Sequence, residues 1–215
     1  MRRTAGDPLG SVRELEELLT DQRAALGADH PDTQTSRNSL AESLLDAGDP
    51  AGAVREFERL AEDQGRRYGV RHPETLTTRT NLARTRAHAG DFKRAITEFR
   101  ALVEDYTDVA GADHPQTLDA RLNLARMLGA ASQFAKAIRA CEPLLRDQVR
   151  VLGPEHADTV ETWQLLANLR YRTGDVEGAI EEQEQLLAAL SRTLMPTHDR
   201  ITKLKRDIAF LKRST

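Results

Sequence analysis

Between Phe92 and Tyr106 the apolar residues are Phe92, Ala95, Ile96, Phe99, Leu102, Val103 and Tyr106, in steps of three and one. That spacing lays them along one stripe of an α-helix, with polar residues around the rest. The segment before it carries Leu76, Arg79, Leu82, Ala83 and Arg86 at helical spacing, and both of its ends are marked. His72-Pro73 starts it, because proline at the first helical position lacks an N–H that would have no partner there. Gly90-Asp91 stops it, glycine taking the left-handed conformation without a Cβ cost. The stretch from Gly69 to Tyr106 therefore predicts a helical hairpin.

The chain repeats that hairpin. His30, His72, His114, His156 and His198 stand 42 residues apart, and other positions keep the same register. Gly27, Gly69, Gly111 and Gly153 precede the histidines, and Thr33, Thr75, Thr117 and Thr159 follow them. The Leu-Ala pair recurs at Leu40, Leu82, Leu124 and Leu166, then Ala53, Ala95, Ala137 and Ala179, then Leu60, Leu102, Leu144 and Leu186. A fixed period of this size specifies stacked supersecondary units. The small alanine in each second helix predicts a close approach between helices.

These residues resemble the tetratricopeptide repeat, in the 42-residue form of kinesin light chains and many bacterial regulators. The resemblance rests on Asn81-Leu82-Ala83 in the first helix, Gly90 at the turn, and Ala95, Phe99 and Leu102 in the second. It covers essentially the whole chain. It implies an all-α fold, a right-handed α-solenoid of stacked antiparallel helix hairpins, which binds peptides or proteins and does not catalyse. Compared with the usual repeat of about 34 residues, the added length amounts to about two helical turns per hairpin.

In chain order, residues 1 to 6 read as a disordered tail. Asp7-Pro8 opens a helix to about Leu26, the second half of a missing hairpin, with Leu15 matching Phe57 and Leu18 matching Leu60. Full repeats follow at 27–68, 69–110, 111–152 and 153–194, in a single array spanning 1–215. The third has Ser132-Gln133 at the turn where the others have Gly-Asp, so its left-handed position is either strained or rebuilt. Pro143 inside its second helix removes a backbone bond and should bend it. The fourth carries Trp163 where Arg37, Arg79 and Arg121 stand, and those arginines are expected to lay their stems over the core and pair with carboxylates. Residues 195–215 form a C-terminal capping helix with Ile201, Leu204, Ile208 and Leu211 as its apolar stripe and a basic outer face. This gives ten helices.

Composition narrows the function. The 39% hydrophobic, 30% charged and 4% aromatic content suits a helical array with much wetted surface, and a net charge of -3 argues against general nucleic-acid binding. The excess of Arg over Lys fits a bacterial source. The single cysteine, Cys141, excludes an intramolecular disulfide and reads as a packed thiol. With no spanning apolar run and no signal peptide, the expected location is the cytoplasm, away from membranes. The five in-register histidines are not a metal site, because stacked units lie on the order of 10 Å apart, whereas zinc draws nitrogens to about 2 Å. Their expected role is helix-start capping or loop packing. No phosphate loop, nucleophile elbow or His-Glu-x-x-His is present, so no catalytic residue, metal or cofactor is expected.

What the resemblance implies about the ligand is a groove lined by the first helices. Counted from Leu82, the facing positions are Thr80 and Arg84, with His88 a turn further; neighbouring units place Asn38, Glu42 and Asp46, then Leu122, Arg126 and Ala130, then Gln164, Asn168 and Arg172 there. Asn81 and Asn123 match the asparagine that contacts extended peptide backbone in related repeats. Arg84, Arg126, His88 and Arg172 together imply a protein or peptide partner with an acidic or carboxylate-terminated segment. The alternatives are a self-assembling module, a monomer or weak homodimer through its end helices, and the sensor array of a larger bacterial regulator.

Overall fold

The computed structural model describes residues 7–213, so the tail expected at residues 1 to 6 lies outside the described residues. Those residues form ten α-helices with no strand among them. They are α1 Pro8–Ala25, α2 Pro31–Asp46, α3 Pro50–Tyr68, α4 Pro73–His88, α5 Phe92–Ala110, α6 Pro115–Ala130, α7 Phe134–Val151, α8 Ala157–Arg172, α9 Val176–Leu190 and α10 Asp199–Leu211. The chain falls into two compact units, residues 1–109 and 110–215. In the first, α1 packs on α2, α2 on α3 and α3 on α4; in the second, α6 to α10 pack successively, and α6 also touches α8.

The histidine register is a capping register. In His30, His72, His114, His156 and His198 the Nδ1 atom accepts the backbone N–H two residues on, at 3.2–3.4 Å. Each ring thereby satisfies one of the orphan donors of its helix start.

In every hairpin the repeated small residue is fully buried: Ala53, Ala95, Ala137 and Ala179 have no exposed surface. Phe57 sits with Ala41 and Leu82 in the first unit, and Leu118, Leu122 and Leu144 form a core cluster in the second. Cys141 takes the Phe57 position, fully buried, and burial pushes its thiol up to about 12. It is a packed, protonated thiol. The first helix of the first unit departs from register: Val12 and Leu19 are its buried residues, and Leu15 and Leu18 are only half-buried. Among the described residues no first helix precedes α1 to cover Leu15 and Leu18.

The arginines at the Trp163 position clamp the first three hairpins. Arg37 donates from Nε to Glu56 at 2.8 Å and from Nη1 to Asp63 at 2.6 Å. Arg79 repeats both bonds, to Glu98 at 2.8 Å and Asp105 at 2.7 Å. Arg121 keeps only the second, to Asp147 at 2.9 Å, because Ala140 replaces the glutamate. Burial opposes the charge on Arg37, but its two carboxylate partners outweigh it and hold the guanidinium more firmly protonated.

The third turn resolves as strained rather than rebuilt. Gly90 and Gly174 take φ of 82° and 84°, and Ser132 takes φ 58° at the same place. Asp49 and Asp175 cap the next helix through Gly52 N and Gly178 N, whereas Gln133 makes no side-chain cap bond. Helix α7 runs unbroken through Pro143.

Candidate functional site

In the first unit, α2 and α4 face each other across a cleft of ≈ 600 Å³ with Leu60 and Gln64 of α3 as its floor. Asn38 and Asn81 meet here. Asn81 Nδ2 donates to Asn38 Oδ1 at 3.4 Å, and Asn38 Nδ2 donates to Glu42 at 3.0 Å. Asn38 comes from the edge of α2 that faces α4, and Asn81 from the opposite edge of α4, so the cleft uses two different repeat positions. Among the described residues no arginine or lysine lines it.

In the second unit the corresponding surface lies between α8 and α10, as adjoining cavities of ≈ 460 and ≈ 280 Å³. Gln164 and Asn168 are exposed along it, opposite Lys203 and Asp207 of α10. Arg126 of α6 is exposed and pairs with Glu161 at 3.3 Å, and Glu161 lines the same surface.

Three residues expected in the groove, Thr80, Asn123 and Leu122, are turned inward. Thr80 is buried, donating to Leu76 O at 2.9 Å and lying 3.3 Å from the Tyr106 hydroxyl. Asn123 is buried too, its Nδ2 donating to Asp119 O at 2.9 Å. Leu122, the counterpart of Thr80, is in the core. Residues 76, 80 and 118, 122 are i, i+4 pairs that face the second helix of their own hairpin. Arg84 and His88 are exposed on α4. Arg172 is exposed, but its guanidinium lies 4.5 Å from the Phe134 ring centroid, stacked on the hairpin behind.

The sequence reading missed Gln34 and Gln64 in the first cleft, and Lys203, Asp207 and Gln183 in the second. A signal for Gln34 was present. Gln34 stands where Leu76, Leu118 and Val160 stand, whereas the register position of Gln64 holds Tyr106, Gln148 and Leu190 in the other repeats. At Gln34 a polar residue in an otherwise apolar register position is a departure that packing alone does not require.

Among the described residues no cluster of histidine, cysteine and carboxylates could hold a metal ion, and no helix is long and apolar enough to cross a membrane.

Nearly identical TPR-like repeats from a kinesin light chain of Podosopora anserina share 25% identity, covering 86% of this chain and 88% of that one, with a TM-score of 0.76. BtubC (BKLC) from P. vanneervenii shares 17% identity over 96% of this chain and 81% of its own, with a TM-score of 0.71. Bacillus thuringiensis PlcR, crystallised with the peptide PapR7 and DNA, shares 14% identity over 93% of this chain and 70% of its own, with a TM-score of 0.59. The last two show likeness of fold alone. Among curated proteins none matches significantly. Models of the tetratricopeptide repeat match residues 3–68, 38–108 and 74–142. With hairpins of this geometry and matches over more than half its length, the chain belongs to the tetratricopeptide repeat family, whose members are protein-interaction scaffolds.

Proposed function

We propose that this scaffold holds an extended segment of a partner protein along its first-helix faces, and that carboxylates of the segment are met in the second unit by Arg126 and Lys203. The observation that carries the reading is the exposed surface of α8 and α10, where Gln164 and Asn168 offer amides beside cationic heads. The Arg126–Glu161 pair is no obstacle. Its side chains are 49% and 44% exposed, and such surface pairs contribute only about 0–1 kcal/mol. A partner carboxylate can displace Glu161 and take the planar guanidinium fork bidentately. Arg84 and His88 extend the same preference on the exposed face of α4 in the first unit.

The test begins with partners captured from the source organism and identified by mass spectrometry. Their affinities are then measured by calorimetry at two salt concentrations for the wild type and for Arg84→Glu with Arg126→Glu. A tenfold or greater loss, about 1.4 kcal/mol, with weaker wild-type binding at high salt, is the expected result. A folded double variant with unchanged affinity and salt dependence overturns the carboxylate reading. The second reading is self-association through the end helix, favoured by Phe210, which is 61% exposed on α10. Light scattering showing a concentration-dependent dimer that Phe210→Ser abolishes would select it.

A further inference from the structure

The first-unit cleft holds an unusual pair. Gln64 Nε2 donates to Gln34 Oε1 at 3.2 Å, and both side chains belong to residues only 5% exposed. That bond leaves Gln34 Nε2 and Gln64 Oε1 without a partner among the described residues. One is a donor, the other an acceptor, and both residues line the cleft between α2 and α4. An unmet buried polar group costs about 1–3 kcal/mol. Gln148 repeats the buried glutamine of Gln64, but its partner position holds Leu118, so the donor and acceptor pair facing one cleft is particular to Gln34 and Gln64.

We infer that the Gln34–Gln64 pair is an amide-reading site, which takes a carboxamide group (an asparagine or glutamine side chain) from an extended partner segment. The chemistry is complementary. A primary amide carries an acceptor C=O and a donor N–H side by side, which is what Gln34 Nε2 and Gln64 Oε1 lack. Its oxygen accepts from Gln34 Nε2 and its N–H donates to Gln64 Oε1, closing a ring of three amides. The terminal torsion of glutamine is broad, so both amides can turn toward the cleft at little cost. Asn38 and Asn81 stand on the two walls and add carboxamides that suit the flanking backbone.

The charge of the cleft selects against the isosteric acid. Glu42 and Glu74 are its charged lining residues. A partner Asp or Glu here would bring a carboxylate beside carboxylates and would offer no donor to Gln64 Oε1. Discrimination between an amide and its acid is therefore built from one repulsion and one missing bond. The inference rests on the scaffold reading above but assigns the first-unit cleft a neutral specificity, independent of the cationic heads of the second unit.

The probes are two blocked peptides, acetyl-Ala-Gln-Asn-Gln-Ala-amide and its Glu-Asp-Glu counterpart, titrated into the full chain at low salt. The readout is the side-chain NH₂ signals of Gln34 and Gln64 in nitrogen–proton correlation spectra. The carboxamide peptide is expected to shift both signals saturably and to bind at least tenfold more tightly than the acidic peptide. Gln34→Val with Gln64→Leu reproduces the residues of the fourth hairpin, Val160 and Leu190, so the variant should fold. It should lose at least tenfold of the carboxamide-peptide affinity. Arg126→Glu with Lys203→Glu should leave that affinity unchanged, which separates this site from the carboxylate surface. The inference is overturned if the carboxamide peptide leaves both signals unmoved, if the acidic peptide binds as tightly, or if Gln34→Val with Gln64→Leu keeps full affinity. None of these results touches a salt-dependent partner bound through Arg84 and Arg126.

Discussion

Replacing Ser132-Gln133 by the Gly-Asp of the other turns should stabilise the second unit measurably. Ser132 holds φ 58°, and a left-handed conformation costs a non-glycine residue about 1–2 kcal/mol. Nothing lies within 4 Å of where a Cβ would sit on the equivalent Gly90 or Gly174, so the demand for glycine is one of backbone conformation, not of space. Glycine in turn loses more freedom on folding, about 0.5–1 kcal/mol, which leaves Ser132→Gly a net gain of about 0.5–1 kcal/mol. Gln133→Asp adds the missing cap: Lys136 N is the donor in the place of Gly52 N and Gly178 N, and such a cap contributes about 1 kcal/mol. Lys136 Nζ, which already donates to Gln133 at 2.9 Å, gains an anionic partner worth a few tenths more. The double variant should therefore be stabler by about 1.5–2 kcal/mol.

Repeat arrays open locally, so the change belongs to the neighbourhood of the turn. Hydrogen exchange of the α6 and α7 amides should slow roughly ten- to thirtyfold, at about 1.4 kcal/mol per factor of ten. Amides of α2 and α3 should be unaffected. If Ser132→Gly alone leaves α6 and α7 exchange unchanged or faster, the strained turn is not how the protein holds this corner, and the reasoning fails.

Three further outcomes follow from the packing. Gln148 is fully buried with both amide atoms unpartnered among the described residues, at the position of Leu190, so Gln148→Leu should raise stability by about 1–3 kcal/mol; a loss seen by denaturant titration would show that the amide is satisfied. Ala137 has no exposed surface, and Ala137→Leu should overpack the α6–α7 contact at a cost of about 1–3 kcal/mol; unchanged thermal stability would show that the helices do not approach closely there. Asp147 is held below the usual carboxylate range by its bonds from Arg121 and Arg150, so the stability it contributes is present above the ordinary aspartate range and lost as pH falls through its lowered value; acid unfolding of Asp147→Asn should be less steep below about pH 4, and an identical profile would refute the linkage.

The repeat itself was legible because each of its signals is local. A proline after a capping histidine, a glycine at a left-handed corner and apolar residues at helical spacing all act within one turn of the chain, so they report helix starts, stops and faces without knowledge of neighbours. The arginine clamps were legible for a related reason: Arg37, Arg79 and Arg121 stand where Trp163 stands, and a cation there must find carboxylates on the second helix of its hairpin. The binding surface was not legible in the same way. Thr80 and Asn81 are adjacent in sequence yet about 100° apart around the helix, and only the packing of α4 against α5 and beside α2 decides that Thr80 meets Tyr106 and Asn81 meets Asn38. The expected row of cations also depended on where long side chains go. Arg172 lies over Phe134 and Arg126 beside Glu161, contacts between residues far apart in the chain that no periodicity encodes. The unmet amides of Gln34 and Gln64 likewise come from α2 and α3, and only their packing places them together at one cleft.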